Sequence, residues 1–126
     1  AGVTLTPMSG LKIQALYNMY ADNYSDWSPG SREIGDDGTA DTDQVWMAPS
    51  YSKLDVHINY VLPVSIAGTQ MTAFAHIFNA LDAVYVQDAV DNSNYNSWGT
   101  KEHKAWNAEV FLGAQRYFNA GLKVNF

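Results

Sequence analysis

Along residues 51–61 apolar and polar side chains alternate without a break. Leu54, Val56, Ile58 and Tyr60 fall on one face, and Lys53, Asp55, His57 and Asn59 on the other. Successive side chains of an extended chain point to opposite sides, so a period of two predicts a strand with unlike faces. The same period predicts strands at about 11–24, 69–81 and 110–126. In the first, Ile13, Ala15, Tyr17 and Met19 alternate with Lys12, Gln14 and Asn18. In the last, Phe118, Ala120, Leu122, Val124 and Phe126 alternate with Tyr117, Asn119, Gly121, Lys123 and Asn125. Val3-Thr4-Leu5-Thr6 reads as the end of a preceding strand. Helical periodicity is nearly absent.

The connections alternate in length. Pro7-Met8-Ser9-Gly10 and the segment 62–68, with Pro63 and Gly68, are short turns. Segments 25–49 and 82–108 are long and rich in Ser, Asp, Asn and Gly. Loops beyond about 12–15 residues are uncommon in compact domains, whereas outer-membrane barrels pair short periplasmic turns with long extracellular loops. The expected fold class is therefore all-β, an antiparallel transmembrane β-barrel segment. Its lipid-facing residues are Leu54, Val56, Ile58, Tyr60, Phe118, Leu122, Val124 and Phe126, and their alternate neighbours line a wet lumen. A soluble antiparallel sheet alternates in the same way. The competing reading is a β-sandwich that binds carbohydrate, with Trp27 and Trp98 exposed and Leu54, Val56 and Ile58 in a core. Loop asymmetry favours the barrel.

Composition narrows the function. Charged residues make up 16% of the chain, below the roughly 25% of soluble domains. The balance of 7 basic to 13 acidic residues argues against a nucleic-acid partner, which needs a basic stripe. The chain has no cysteine, which excludes disulfides and thiolate sites. It has no apolar run of about 18 residues, so no membrane-spanning helix is expected. His57, His76 and His103 show no metal-ligand spacing and read as lumen or packing residues. The run from Asp36 to Asp43 carries hard oxygen donors but lacks the bidentate Glu of an EF-hand loop, and reads as a solvated acidic loop. No P-loop, Rossmann glycine pattern or nucleophile elbow is present. No enzyme activity, metal or cofactor is expected. Trp27, Trp46, Tyr95 and Trp98 in the long loops are the candidate ligand-binding residues, because aromatic rings stack on sugars and other flat solutes.

Three stretches carry a family resemblance. The ending Gly113-Ala114-Gln115-Arg116-Tyr117-Phe118-Asn119-Ala120-Gly121-Leu122-Lys123-Val124-Asn125-Phe126 resembles the final strand of TonB-dependent receptors. Asn79-Ala80-Leu81-Asp82 followed by Tyr85 is similar to the family's element above the penultimate strand. Pro49-Ser50-Tyr51, then Leu54-Asp55-Val56-His57, is similar to its entry into the strand before. Gln115 stands where the family often has Pro, and Ala80 and Leu81 where it has Leu and Phe. The style is that of SusC-like receptors of Bacteroidota. The resemblance implies a plugged barrel of about 22 strands in the outer membrane of a Gram-negative bacterium, its C-terminus periplasmic. This chain, 1–126, would supply the last strands. The implied partners are the remaining barrel strands, membrane lipid, the plug, the TonB complex reached through segments preceding Ala1, and a SusD-like lipoprotein lid. The implied function is uptake of a glycan, siderophore, peptide or similar solute.

Overall fold

The computed structural model describes residues 1–33, 38–66, 68–96 and 102–125. The chain divides into two units: 1–19, 51–83 and 114–126 form one, and 20–50 with 84–113 the other. No described helix is long and apolar enough to cross a membrane.

The first unit is an antiparallel sheet. Its strands are β1 (Gly2–Met8), β2 (Leu11–Tyr20), β3 (Tyr51–Ile66), β4 (Thr69–Phe78) and β7 (Tyr117–Asn125), in the order β1-β2-β3-β4-β7. Gly10 and Gly68 take positive φ in the two tight connections, a conformation glycine reaches without a Cβ penalty. At Gly10 space also matters, because a Cβ there would lie 2.7 Å from the Val61 carbonyl oxygen.

The strand registers sort most of the side chains by face. Val56, Ile58 and Tyr60 of β3 stand opposite Ile77, Ala75 and Ala73 of β4. Those in turn stand opposite Phe118, Ala120 and Leu122 of β7, with Met71 opposite Val124. The reverse face carries His57, Asn59, Thr72, Phe74, His76, Tyr117, Asn119, Lys123 and Asn125. Among the described residues neither face is covered within the unit. Phe118 is 69% exposed and Leu122 65%. Among the described residues the buried apolar side chains are Val45, Ala48, Tyr85 and Ala89, and all four belong to the second unit.

Several strand bounds differ from those the alternation predicts. The strand expected over 11–24 stops at Tyr20, just before Asp22 turns to positive φ. The strand expected over 51–61 runs on to Ile66, because the register shifts between Val61 and Ser65. Such a bulge takes up Pro63, which cannot donate to the ladder. The strand expected over 69–81 ends at Phe78, where Asn79 takes φ 50. The strand expected over 110–126 is two strands, β6 (Ala108–Leu112) and β7, parted at 113–116.

Asn79 explains how β4 ends. Its side-chain amide donates to the carbonyls of Ala83 (2.9 Å) and Ala114 (3.1 Å), and its Oδ1 accepts from the Ala83 N–H (3.0 Å). The Asp55 carboxylate accepts from the Asn79 backbone N–H at 2.9 Å. Asp82 accepts from the Arg116 backbone N–H at 3.0 Å, and its carboxylate pairs with the Arg116 guanidinium at 3.7 Å. Asn is among the residues that tolerate the left-handed region, and its short amide can bond the nearby backbone. Asn79→Ala is expected to cost about 2–4 kcal/mol, combining orphaned buried backbone groups with a left-handed alanine. Asn79→Gly should recover only the backbone part. Equilibrium urea unfolding of the two variants beside the parent chain checks this ranking.

Candidate functional site

The second unit is built from the two long segments that the alternation assigns to loops. It holds structure not expected there. β5 (Val86–Asp91) pairs antiparallel with β6, followed by a single helical turn, α1 (Ser93–Asn96). Short 3-10 turns occupy Pro29–Arg32 and Ala105–Asn107. Segment 23–26 is threaded between two neighbours. The Ser25 N–H donates to the Trp46 carbonyl and the Ala48 N–H to Asn23. On the other side the Asp26 N–H donates to Ala89 and the Asp91 N–H to Asp26. Gly113 closes the unit against Tyr85. Its N–H donates to the Tyr85 carbonyl, and a Cβ at 113 would sit 2.0 Å from the Tyr85 ring. That contact is why the chain bends here and cannot continue as one strand.

His103 ties the two segments together. Its Nε2 lies 2.8 Å from Asp41 Oδ2 and its Nδ1 2.7 Å from Asp91 Oδ2. The ring is 3% exposed and both carboxylates are nearly buried. Carboxylates only accept, so a ring nitrogen that donates to one of them carries a proton. Ser93 Oγ donates to Asp91 Oδ2 at 3.1 Å and lies 3.2 Å from His103 Nδ1. Hydroxyl, imidazole and carboxylate together invite comparison with a nucleophile triad. Here Ser93 is fully buried and both imidazole nitrogens are spent on carboxylates, so no base faces an open hydroxyl. The geometry is that of a clasp between segments.

Arg32 completes the clasp. Its Nε donates to the Asp41 carbonyl at 3.2 Å, its NH2 donates to the Asp43 carbonyl, and its guanidinium pairs with the Asp41 carboxylate at 3.5 Å. Burial alone pushes the Asp41 carboxyl up. Hydrogen bonds from His103 and the Asp43 N–H, with the charges of His103 and Arg32, outweigh it and hold the group below the usual aspartate value of 3.8. A lowered folded value means stability that is present above 3.8 and fades as the pH falls through the folded value. The Tm difference between the parent and Asp41→Asn should therefore be full near neutrality and shrink in the acid range below 3.8. A pH series of thermal melts measures it. Asp41 is thus a paired structural carboxylate rather than part of a solvated acidic loop. Asp36 and Asp37 lie outside the described residues.

Beside the clasp is an open cleft of about 420 Å³, lined by Tyr24, Trp27, Arg32, Asp43, Gln44 and Val45. The Arg32 guanidinium sits 5.1 Å over the Trp27 ring, a favourable cation–π placement that occupies one ring face. Trp27 is nonetheless 48% exposed, so part of it stays available for stacking. Gln44, Asp43 and the Tyr24 hydroxyl supply polar partners. Of the other sequence candidates, Trp46 is half-buried and Tyr95 on α1 is exposed, and neither lines the cleft. Trp98 lies outside the described residues, as does Phe126 among the proposed lipid-facing positions.

On the polar face of the sheet, His57 and His76 are direct cross-strand partners, with their Nδ1 atoms 2.9 Å apart. Spacing in the sequence does not bring them together. Their juxtaposition depends on the register across the bulged β3–β4 connection, which alternation alone does not fix.

Compared with family models, curated proteins and solved structures, the chain matches none.

Proposed function

We propose that this chain is the C-terminal wall of a TonB-dependent outer-membrane receptor, a plugged barrel of about 22 strands that imports a solute such as a glycan, siderophore or peptide. The observation that carries the reading is the sheet itself. Across β3, β4 and β7 it has one apolar face, a reverse face that is mostly polar with Phe74, Phe78 and Tyr117 among its residues, and no buried apolar side chain among the described residues. A soluble sheet hides its apolar face against a second layer. A barrel wall leaves that face to acyl chains and the opposite face to water, and closure satisfies the backbone in lipid. The sheet's short connections lie at one end and both long excursions leave from the other, as such barrels require. The clasp at Asn79 adds support. Asp55, Asn79, Asp82 and Arg116, each from a stretch that resembles the family, meet in one hydrogen-bond network.

On this reading the partners are membrane lipid, the remaining strands and plug, the TonB complex and a SusD-like lid. The Trp27 cleft offers the solute a ring, an amide and a hydroxyl. The test is residence and facing. The chain should sediment with the outer membrane and resist urea extraction. Because it lacks cysteine, single cysteines can report each face. A membrane-impermeant maleimide should label positions 57, 59, 119 and 123 and spare 56, 58, 122 and 124. Extraction by urea, or labelling without alternation, sinks the proposal and favours the soluble sandwich.

A further inference from the structure

We propose that His57 and His76 form a bidentate site for a divalent late transition metal ion, with Cu²⁺ preferred over Zn²⁺. The inference stands on local geometry and holds whether or not the sheet is a barrel wall. The two imidazoles project from the same face of neighbouring strands at paired positions, where Cβ atoms stand about 4.5–5.5 Å apart. Their Nδ1 atoms are 2.9 Å apart. With metal–nitrogen bonds of about 2.0–2.1 Å, ligands at a right angle lie about 2.8–3.0 Å apart, and ligands at a tetrahedral angle about 3.3–3.4 Å. Both separations are within reach of the paired rings, and for nitrogen donors Cu²⁺ stands above Zn²⁺ in the affinity order of divalent first-row metals.

The surroundings suit a chelate. Phe74 stacks on His76 with centroids 5.3 Å apart, and Phe78 meets His57 edge-on at 5.5 Å. Phe74 and Phe78 precede and follow His76 by two positions on β4, so the rings flank the pair on both sides along the strand. Asn119 is the β7 partner of His76, so His57, His76 and Asn119 form one row across three strands. Among the described residues no group of three or more His, Cys, Asp or Glu could hold a metal. The remaining coordination positions therefore belong to water or to a ligand carried in with the ion.

Without metal, one Nδ1 donates its proton to the other. On binding, each ring turns about its soft χ2 torsion and both Nδ1 lone pairs go to the metal; the ring that carried its proton on Nδ1 gives it up to water and takes one at Nε2, so both ligands are neutral imidazoles. The third histidine, His103, has both nitrogens engaged by carboxylates and does not compete.

The test is Cu²⁺ titration of the full chain, followed by electron paramagnetic resonance. The parent should bind one Cu²⁺ with hyperfine structure from two equivalent nitrogens. His57→Gln or His76→Gln should each lower affinity by about tenfold or more, at least the loss seen when an outer-sphere partner is removed, and leave a single nitrogen. The same affinity and nitrogen count in the double variant would overturn the proposal, as would no binding by the parent. A measurement on the parent alone guards against a variant that fails to fold. Cu²⁺ should protect His57 and His76 together from diethyl pyrocarbonate, read by mass spectrometry. Modification of both at an unchanged rate counts against the site.

Discussion

Replacing His103 with Ala should unfasten the second unit while leaving the sheet intact. The substitution removes the ring that bridges Asp41 and Asp91 and leaves two nearly buried carboxylates facing a void. Breaking a buried pair from one side costs about 3–5 kcal/mol, because the surviving charge is uncompensated. The carboxylates would escape by taking up protons or by opening toward water, and either outcome parts the two segments. Ser93, which shares its hydroxyl between Asp91 and the ring, loses its orientation as well. Hydrogen exchange should show protection lost at Asp91, Asn107 and neighbouring amides of β5 and β6, with β3 and β4 amides unchanged. Uniform protection across both units in the variant would mean that the ring contributes little.

The second large effect concerns the apolar face. Leu122→Arg places a charge at a position flanked across the ladder by Ala73 and then Tyr60. If that face meets lipid, an arginine near the bilayer midplane costs about 2–4 kcal/mol. Asn119→Arg, on the opposite face, should change stability by less than about 1 kcal/mol, because a solvated surface charge costs little. The comparison is the amount of folded chain recovered from the outer membrane and its resistance to urea. Equal tolerance of both arginines would remove the physical basis of the proposed function.

How much of this was legible beforehand follows from range. The unbroken alternation at Leu54–Asp55–Val56–His57–Ile58 is a local signal and located the heart of β3, including its faces. The starts of β2 and β4 follow equally local turn residues, Gly10 and Gly68. The split between β6 and β7 was not legible, since alternation continues loosely through 110–126. It is fixed by Gly113 passing against Tyr85, a contact between residues 28 positions apart. β5 was missed for a similar reason. Val86-Gln87-Asp88-Ala89-Val90-Asp91 has polar residues where a strand pattern wants apolar ones, and it is held by β6 on one side and by Asp26 on the other. The Trp27 cleft was half visible, as an aromatic in a polar loop. Its partner Arg32 was not, because the pairing depends on how Arg32 wraps the turn at 41–43. The histidine pair was hidden behind register.

The two outermost strands of the sheet, β1 and β7, each have a single neighbour among the described strands. A row of backbone donors and acceptors on each is therefore available to any extended segment that approaches. Released from its surroundings, the sheet can template itself, with β7 of one copy accepting β1 of the next. Head-to-tail addition of this kind does not close by symmetry and grows into filaments. On the proposed barrel reading, the strands that flank β1 and β7 would have to engage both edges soon after synthesis, before copies of this chain find each other.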